Sequence, residues 1–206
     1  YAEHAPFHDP SPLVAIMVGA SQASAKRYAE GFTVGLRELG YSEGQNLELV
    51  WRFADGDLAR LPALAEEIVR LKPAVFLASN TASALAAKAA TTTIPIVVPA
   101  MTDPVGFGLV ASYARPGGNI TGLLNYVETL PGKLLQIAIE AVPNARRVAL
   151  LLNTGNQASA NYRRDAETGA AILKLELVPF DARLPGELEG AVKAIAAAGL
   201  GLAYVT

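Results

Sequence analysis

The residues able to do chemistry in this sequence lie in short polar strings between apolar runs. Ser79-Asn80-Thr81 stands immediately before a helical pattern. Hydroxyls beside the free N–H groups of a helix N-terminus make a ready carboxylate site. The same three residue types are also ordinary N-caps. Thr102 and Asp103 precede Pro104. Asp103 reads either as the opening of an Asp-Pro turn or as a partner for a ligand ammonium. Asn125 and Tyr126 follow an apolar strand pattern, and that tyrosine either stacks on a ligand ring or packs at a hinge. Ala20 and Ser21, and then Asn153 and Asn156, sit in loops after two further apolar runs. For the two asparagines plain turn chemistry is the alternative.

Much chemistry is excluded. The chain has no cysteine, so disulfides, thiolate metal sites and cysteine nucleophiles are ruled out. The two histidines, His4 and His8, stand in an N-terminal tail, residues 1–12, that reads as loose. The folded body therefore holds neither a histidine triad nor a His-rich metal site. An enzyme would have to use Asp103 with a lysine such as Lys133, and no paired carboxylates accompany them. The expectation is no catalytic residue, no metal and no cofactor. Gly106-Phe107-Gly108-Leu109-Val110-Ala111 spells a dinucleotide fingerprint, with Glu128 downstream. It is rejected because Thr102-Asp103-Pro104 separates it from the strand and Pro116 cuts short any helix. Trp51, in an alternating strand pattern, reads as packing.

The elements that must position these residues alternate. Strand patterns cover residues 13–18, 46–53, 74–78 and 94–99, with helical patterns over 24–39, 58–71 and 81–90 between them. After a loop-rich stretch, with a short helical piece expected over 109–114, strands are expected over 120–124, 147–152, 175–180 and 201–205. Helices over 132–141, 159–173 and 187–198 separate them. Such alternation means βαβ units and parallel sheets with covered faces. The 206 residues are 51% hydrophobic, enough for a sizeable core. The apolar runs fall short of the roughly 18 residues of a membrane span. With a net charge of −2 and no basic stripe, nucleic acid is not an expected partner.

The order repeats internally. Val14–Val18 is followed by Gln22-Ala23-Ser24-Ala25, and residues 148–152 by Gln157-Ala158-Ser159-Ala160. Arg60-Leu61-Pro62 and Arg183-Leu184-Pro185 then each open a helix pattern. The second copy stops at Thr206, after its third strand, where the first continues through a helix and a fourth. The expectation is a second lobe that is incomplete here, within a longer native polypeptide. Open parallel sheets take ligands beyond the carboxyl ends of their strands. That rule selects the loops that hold Ala20, Ser21, Ser79, Asn80, Thr81, Thr102, Asp103 and Asn153.

Several strings together resemble a known family. They are Leu36-Arg37-Glu38-Leu39-Gly40-Tyr41, Glu43-Gly44-Gln45-Asn46, Lys72-Pro73-Ala74-Val75, Ile94-Pro95-Ile96-Val97, Thr102-Asp103-Pro104-Val105-Gly106 and Ala114-Arg115-Pro116-Gly117-Gly118-Asn119-Ile120-Thr121-Gly122. The chain is similar to the bacterial ABC transporter substrate-binding proteins that include the tryptophan- and tyrosine-binding proteins. The resemblance implies an α/β, type I periplasmic-binding-protein-like fold. Two Rossmann-like lobes with parallel sheets span 13–125 and 126–206, joined by crossovers near residues 125–128. It also implies capture of a small carboxylate-bearing ligand in the inter-lobe cleft by hinge closure, an aromatic amino acid or related compound first. Periplasmic location, a membrane ABC permease as partner and a monomeric state follow as expectations. A cytoplasmic effector-sensing domain of a regulator shares the fold and is the alternative reading.

Overall fold

The computed structural model describes residues 11–126 and 129–206. His4, His8 and Glu128 lie outside the described residues. The chain divides into two compact units, one ending at Asn125 and the other beginning at Tyr126.

The first unit runs β1 (Leu13–Val18), α1 (Gln22–Glu38), β2 (Glu48–Phe53), a 3₁₀ turn (Leu58–Arg60), α2 (Leu61–Arg70), β3 (Val75–Ala78), α3 (Thr81–Ala90), β4 (Ile96–Met101) and β5 (Ile120–Leu124). The strands form one parallel sheet in the order β2-β1-β3-β4-β5. Strand alternation divides the apolar residues between its two faces. Ala15, Met17, Phe76, Ala78, Ile96 and Val98 pack with Leu61, Ala65 and Ile68 of α2 and with Ala84 and Ala87 of α3. Val14, Ile16, Val18 and Leu49 turn the other way, toward Ala25, Phe32 and Leu36 of α1. Burial on both faces is why β1 reads as an unbroken apolar run. Each fully buried side chain of this size contributes about 1.5–3 kcal/mol.

Helix α1 starts where Ser21 caps it, accepting the Ser24 N–H at 3.3 Å. It stops in a Schellman motif: Gly40 takes a φ of 87°, Gly40 N–H donates to the Arg37 carbonyl and Tyr41 N–H to Leu36 at 2.9 Å. The Leu36–Tyr41 string is therefore a helix stop with its hydrophobic contact, since Leu36 and Tyr41 share one apolar cluster. The Ala114–Gly122 string also has a structural task. Asn119 donates from Nδ2 to the carbonyls of Thr91 and Ile94, at 3.3 and 2.8 Å, and locks the end of α3 to the start of β5.

Two expectations change. Residues 109–114 form no helix. The N–H groups of Leu109 and Val110 both go to the Pro104 carbonyl and that of Ala111 to Pro116, so no i to i−4 ladder exists. The fourth strand lies further along than 94–99, running through Pro99 to Met101, because its pairing with β5 carries an irregularity between Val98 and Met101 that accommodates the proline.

The second unit runs α4 (Leu130–Ala141), β6 (Arg147–Leu152), α5 (Ser159–Leu173), β7 (Glu176–Asp181), a 3₁₀ turn (Pro185–Glu187), α6 (Leu188–Ala197) and β8 (Ala203–Val205). Its parallel sheet has the order β7-β6-β8. Val148, Leu150 and Leu152 face Leu135, Ala166 and Ala170, while Ala149 and Leu151 face Ala191 and Ile195. Helices α4 and α5 meet at glycines: a Cβ on Gly169 would stand 2.5 Å from the Gly132 Cα.

The order β7-β6-β8 matches β2-β1-β3, with the first strand of each unit central. The helix-opening strings do not coincide. Arg60 closes the 3₁₀ turn and leads into α2, whereas Arg183-Leu184 precede the turn before α6. Among the described residues, no helix is long and apolar enough to cross a membrane.

Candidate functional site

The carboxyl end of the first sheet collects most of the sequence candidates. Asn80 is the N-cap of α3, its Oδ1 accepting the Ser83 N–H at 3.0 Å. Thr81 turns inward. It is buried, and its Oγ1 accepts the Thr102 N–H at 2.8 Å. Thr102 is itself buried. This pair holds the loop after β4 against the start of α3, which is a bracing role rather than direct contact with solvent. Ser79 is half-buried, with its Oγ accepting the Gly19 N–H at 3.4 Å and facing Ser83 Oγ at 3.4 Å. Both contacts are at the long limit for a hydroxyl. Of the three residues in this string, Ser79 and Asn80 line open space, and Thr81 does not.

That space is a cavity of about 570 Å³ on the α1 side of the sheet. Ala20, Ser79 and Asn80 border it at the strand ends, and Tyr28, Phe32 and Trp51 supply aromatic walls. Phe32 meets Trp51 edge-on at 6.1 Å between ring centroids. Every lining side chain is uncharged. The aromatic residues come from α1 and β2, where helical and alternating spacing hide them among core positions. A shallower groove of about 690 Å³ follows α1 beside β2. It contains none of the strand-end candidates, so the smaller cavity is the better match to the ligand position that open parallel sheets favour.

Ser21 serves as the α1 cap. Asp103 adopts a φ of 43° and its Oδ1 accepts the Gly106 N–H at 2.9 Å. A Cβ at position 106 would collide with this carboxylate. The Asp-Pro-x-Gly turn therefore requires both residues, and the structure gives Asp103 a turn-forming task. Asn125 donates its N–H to the Met101 carbonyl at 3.0 Å, continuing β5 along β4.

The second unit places its candidates differently. Tyr126 is buried, donates its hydroxyl hydrogen bond to Asp165 and meets Tyr162 edge-on at 4.9 Å. Burial, then the Asp165 carboxylate, pushes its phenol far above the usual tyrosine range. This is the packing alternative for Tyr126. At the carboxyl end of the sheet, Asn153 accepts the Gly155 N–H at 2.9 Å and donates to the Arg183 carbonyl at 3.3 Å. Asn156 accepts the Ala158 N–H at 3.1 Å, in the turn before α5. Thr154 binds Asp181 twice, through its N–H at 2.9 Å and its hydroxyl at 2.6 Å. Arg183 Nε reaches Thr154 Oγ1 and Asp181 Oδ2, each at 2.9 Å. Thr154, and after it Arg183, holds the Asp181 carboxyl below the usual carboxylate range. Sequence reasoning missed this group because Arg183-Leu184-Pro185 reads as a helix opening.

Among the described residues, no cluster of three or more His, Cys, Asp or Glu side chains could hold a metal ion.

Comparison with known proteins supplies the remaining findings. Residues 13–206 match the family model described as ABC transporter substrate binding protein. The tyrosine-binding protein of Clostridioides difficile (strain R20291) is 34% identical over 141 residues, covering 66% of this chain and 40% of that protein. A conserved domain protein from Vibrio cholerae superposes with a TM-score of 0.82 at 31% identity, over 90% of this chain and 62% of the other. An ABC domain from Streptococcus pneumonia, solved in complex with L-Trp, superposes with a TM-score of 0.81 at 20% identity, over 95% of this chain and 65% of the other. The chain thus spans less than two thirds of each of these relatives.

Proposed function

Given that the chain belongs to the ABC transporter substrate-binding protein family, with its type I periplasmic-binding fold, we propose that it captures a small carboxylate-bearing molecule, an aromatic amino acid or related aromatic acid, for an importer. The family binds solutes and does no chemistry on them. The observation that carries the reading is the uncharged, ring-walled cavity beside the N-terminus of α3. Aromatic walls suit a ligand ring. The first-turn N–H groups of α3 other than that of Ser83, which Asn80 accepts, suit a carboxylate. Ser79 adds a hydroxyl with only long protein contacts. The tyrosine-binding relative and the L-Trp complex of a fold relative support the same class of cargo.

In this reading Thr81, Thr102 and Asn80 hold the α3 terminus and its loop in position, and Ser79 and Ala20 border the ligand. Ser21, Asp103 and Asn125 shape the loops around it, while Asn153 and Tyr126 order the second unit's side. The protein works outside the cytoplasm as a monomer. Its two units close over the ligand about the segment after Asn125, and the closed form docks on a membrane permease.

A thermal-shift screen of the full-length protein against L-tyrosine, L-tryptophan, benzoate, nucleosides and sugars tests this. A ligand at 100 times its Kd stabilises the folded state by about 2.7 kcal/mol. The expected result is a response to one aromatic acid, reduced in Ser79→Ala. Stabilisation by nucleosides or sugars alone would overturn the cargo class.

A further inference from the structure

We infer that one side of α6 and the outer edge of β8 form a single docking surface, and that its occupant is a helix followed by a strand from the same polypeptide, downstream of Thr206. This surface belongs to the second unit alone and does not depend on the cargo.

The first unit shows what such a surface carries when it is covered. From its 3₁₀ turn to the residue after β3, it aligns with the second unit at one constant offset. Leu58 of the turn stands against Pro185, Leu61 of α2 against Leu188, Lys72 against Gly199, and Ser79 against Thr206. Backbone geometry keeps the same register. Lys72 and Gly199 both take a positive φ, of 51° and 68°. Phe76 pairs with Ala15 of β1 as Ala203 pairs with Ala149 of β6. Ser79 N–H donates to the Met17 carbonyl at 3.0 Å, and Thr206 N–H to the Leu151 carbonyl at 3.2 Å.

Burial breaks this equivalence. In the first unit Leu61, Ala65 and Ala78 are almost wholly buried, in one cluster with Ala84 and Ala87 of α3 and with Ile96 and Val98 of β4. Their counterparts Leu188, Val192 and Val205 are 47%, 57% and 62% exposed. Leu188 and Val192 stand one turn apart on α6, next to Ala191 and Ile195, which pack with Ala149 and Leu151 of β6. Val205 pairs with Leu151 and so shares its face of the sheet. Among the described residues, β8 is hydrogen-bonded to β6 alone, whereas β3 lies between β1 and β4. The uncovered apolar positions of the second unit are thus the ones that α3 and β4 cover in the first. An open strand edge beside an apolar face favours pairing with a further strand.

The repeat also sets the character of the occupant. Its helix lies against Leu188 and Val192 as α3 lies against α2, and its strand runs parallel to β8 as β4 does to β3. Because Val192 is larger than Ala65, the helix side that meets it must be built from small residues. The two solved relatives have the length for such a segment, since this chain spans 62% and 65% of them, and α3 with β4 needs only residues 81–101.

The test uses the full-length protein with one cysteine at a time. Val192→Cys reports the surface. Lys193→Cys is the control, because Lys193 pairs with Glu189 on the exposed side of the same helix. Maleimide labelling is expected to be at least about tenfold slower for Val192→Cys at every protein concentration, since only locally opened molecules expose that thiol. Equal rates would overturn the inference. Protection that disappears on dilution would also overturn it, by making the occupant a second copy. A benzophenone side chain at position 192, photoactivated and mapped by mass spectrometry, is expected to link within the molecule to residues downstream of Thr206; links confined to residues 13–206 would defeat that assignment. If Val192→Cys does not fold, Val205→Cys replaces it, with the same expectation against Lys193→Cys.

Discussion

The two units share a strand order and differ in what they place at its carboxyl end. In the first, the loops after β1, β3 and β4 are tied together by hydroxyls, Ser79 accepting the Gly19 N–H and Thr81 accepting the Thr102 N–H. In the second, the loops after β6 and β7 are tied by charge, through Thr154, Asp181 and Arg183. The loops after β1, β3 and β4 supply neutral groups and border an aromatic-walled cavity, whereas those after β6 and β7 supply an oriented ion pair. The difference shows that a repeated scaffold fixes where loops emerge, while the residues in them set the electrostatics independently.

The comparison assumes two separate cores, and the largest expected effects test that assumption. Phe76→Ala empties a fully buried site in the first unit and should cost about 3–5 kcal/mol; Leu150→Ala does the same in the second at about 2–5 kcal/mol. Trp51, the single tryptophan, lies in β2. Its fluorescence therefore reports the first unit, while far-ultraviolet circular dichroism reports both. In urea, Phe76→Ala should move the fluorescence midpoint far more than Leu150→Ala does. Equal shifts would mean that the units unfold as one body.

A smaller effect sharpens the electrostatic contrast. Asp181 has a lowered pKa in the folded state, through Thr154 first and Arg183 after it. Its contribution to stability is fully present above the unfolded carboxylate value of about 3.9. It is lost as pH falls through the depressed folded value. Asp181→Asn should therefore be less stable than wild type at neutral pH and converge with it under acid. Thermal melts from pH 7 to pH 2 check this. Parallel curves for the two proteins would show that Asp181 makes no pH-dependent contribution to stability.

Much of the scaffold was readable in advance because its signals are local. Helix α3 begins at Thr81 as expected, because Asn80 is a capping residue that caps. Strands β1, β5 and β6 keep their expected bounds, since buried strands of parallel sheets show as short apolar runs. The piece over 109–114 failed because apolar spacing says nothing of where N–H groups go, and here two converge on one proline carbonyl. The site is harder to read for a similar reason. Residue type marks Thr81 and Tyr126 as candidates, yet side-chain direction, set by packing at long range, turns both inward. Arg183 shows the reverse case. Its partners lie 2 and 29 residues away, and no local pattern joins them.

The smallest effect lies in the helix stops, where the units exchange solutions. Helix α1 ends at Gly40 with a φ of 87°, and α6 at Gly199 with 68°; α2 ends at Lys72 with 51° and α5 at Lys174 with 56°. At Lys174 the bonds are those of the Gly40 stop: Lys174 N–H donates to Ala171, and Leu175 N–H to Ala170 at 2.9 Å. The left-handed conformation costs a residue with a Cβ about 1–2 kcal/mol, and glycine avoids that cost at the expense of greater freedom when unfolded. Lys174→Gly should therefore stabilise the second unit by up to about 1 kcal/mol, and Gly40→Ala should destabilise the first by about 1 kcal/mol. Urea midpoints read by circular dichroism for the first variant and by Trp51 fluorescence for the second give both signs. If Lys174→Gly is destabilising, the lysine contributes through its charge near the helix C-terminus, where a cation is favoured. Electrostatics would then outweigh backbone geometry in the second unit at its helix ends, as it already governs the loops at the carboxyl end of its sheet.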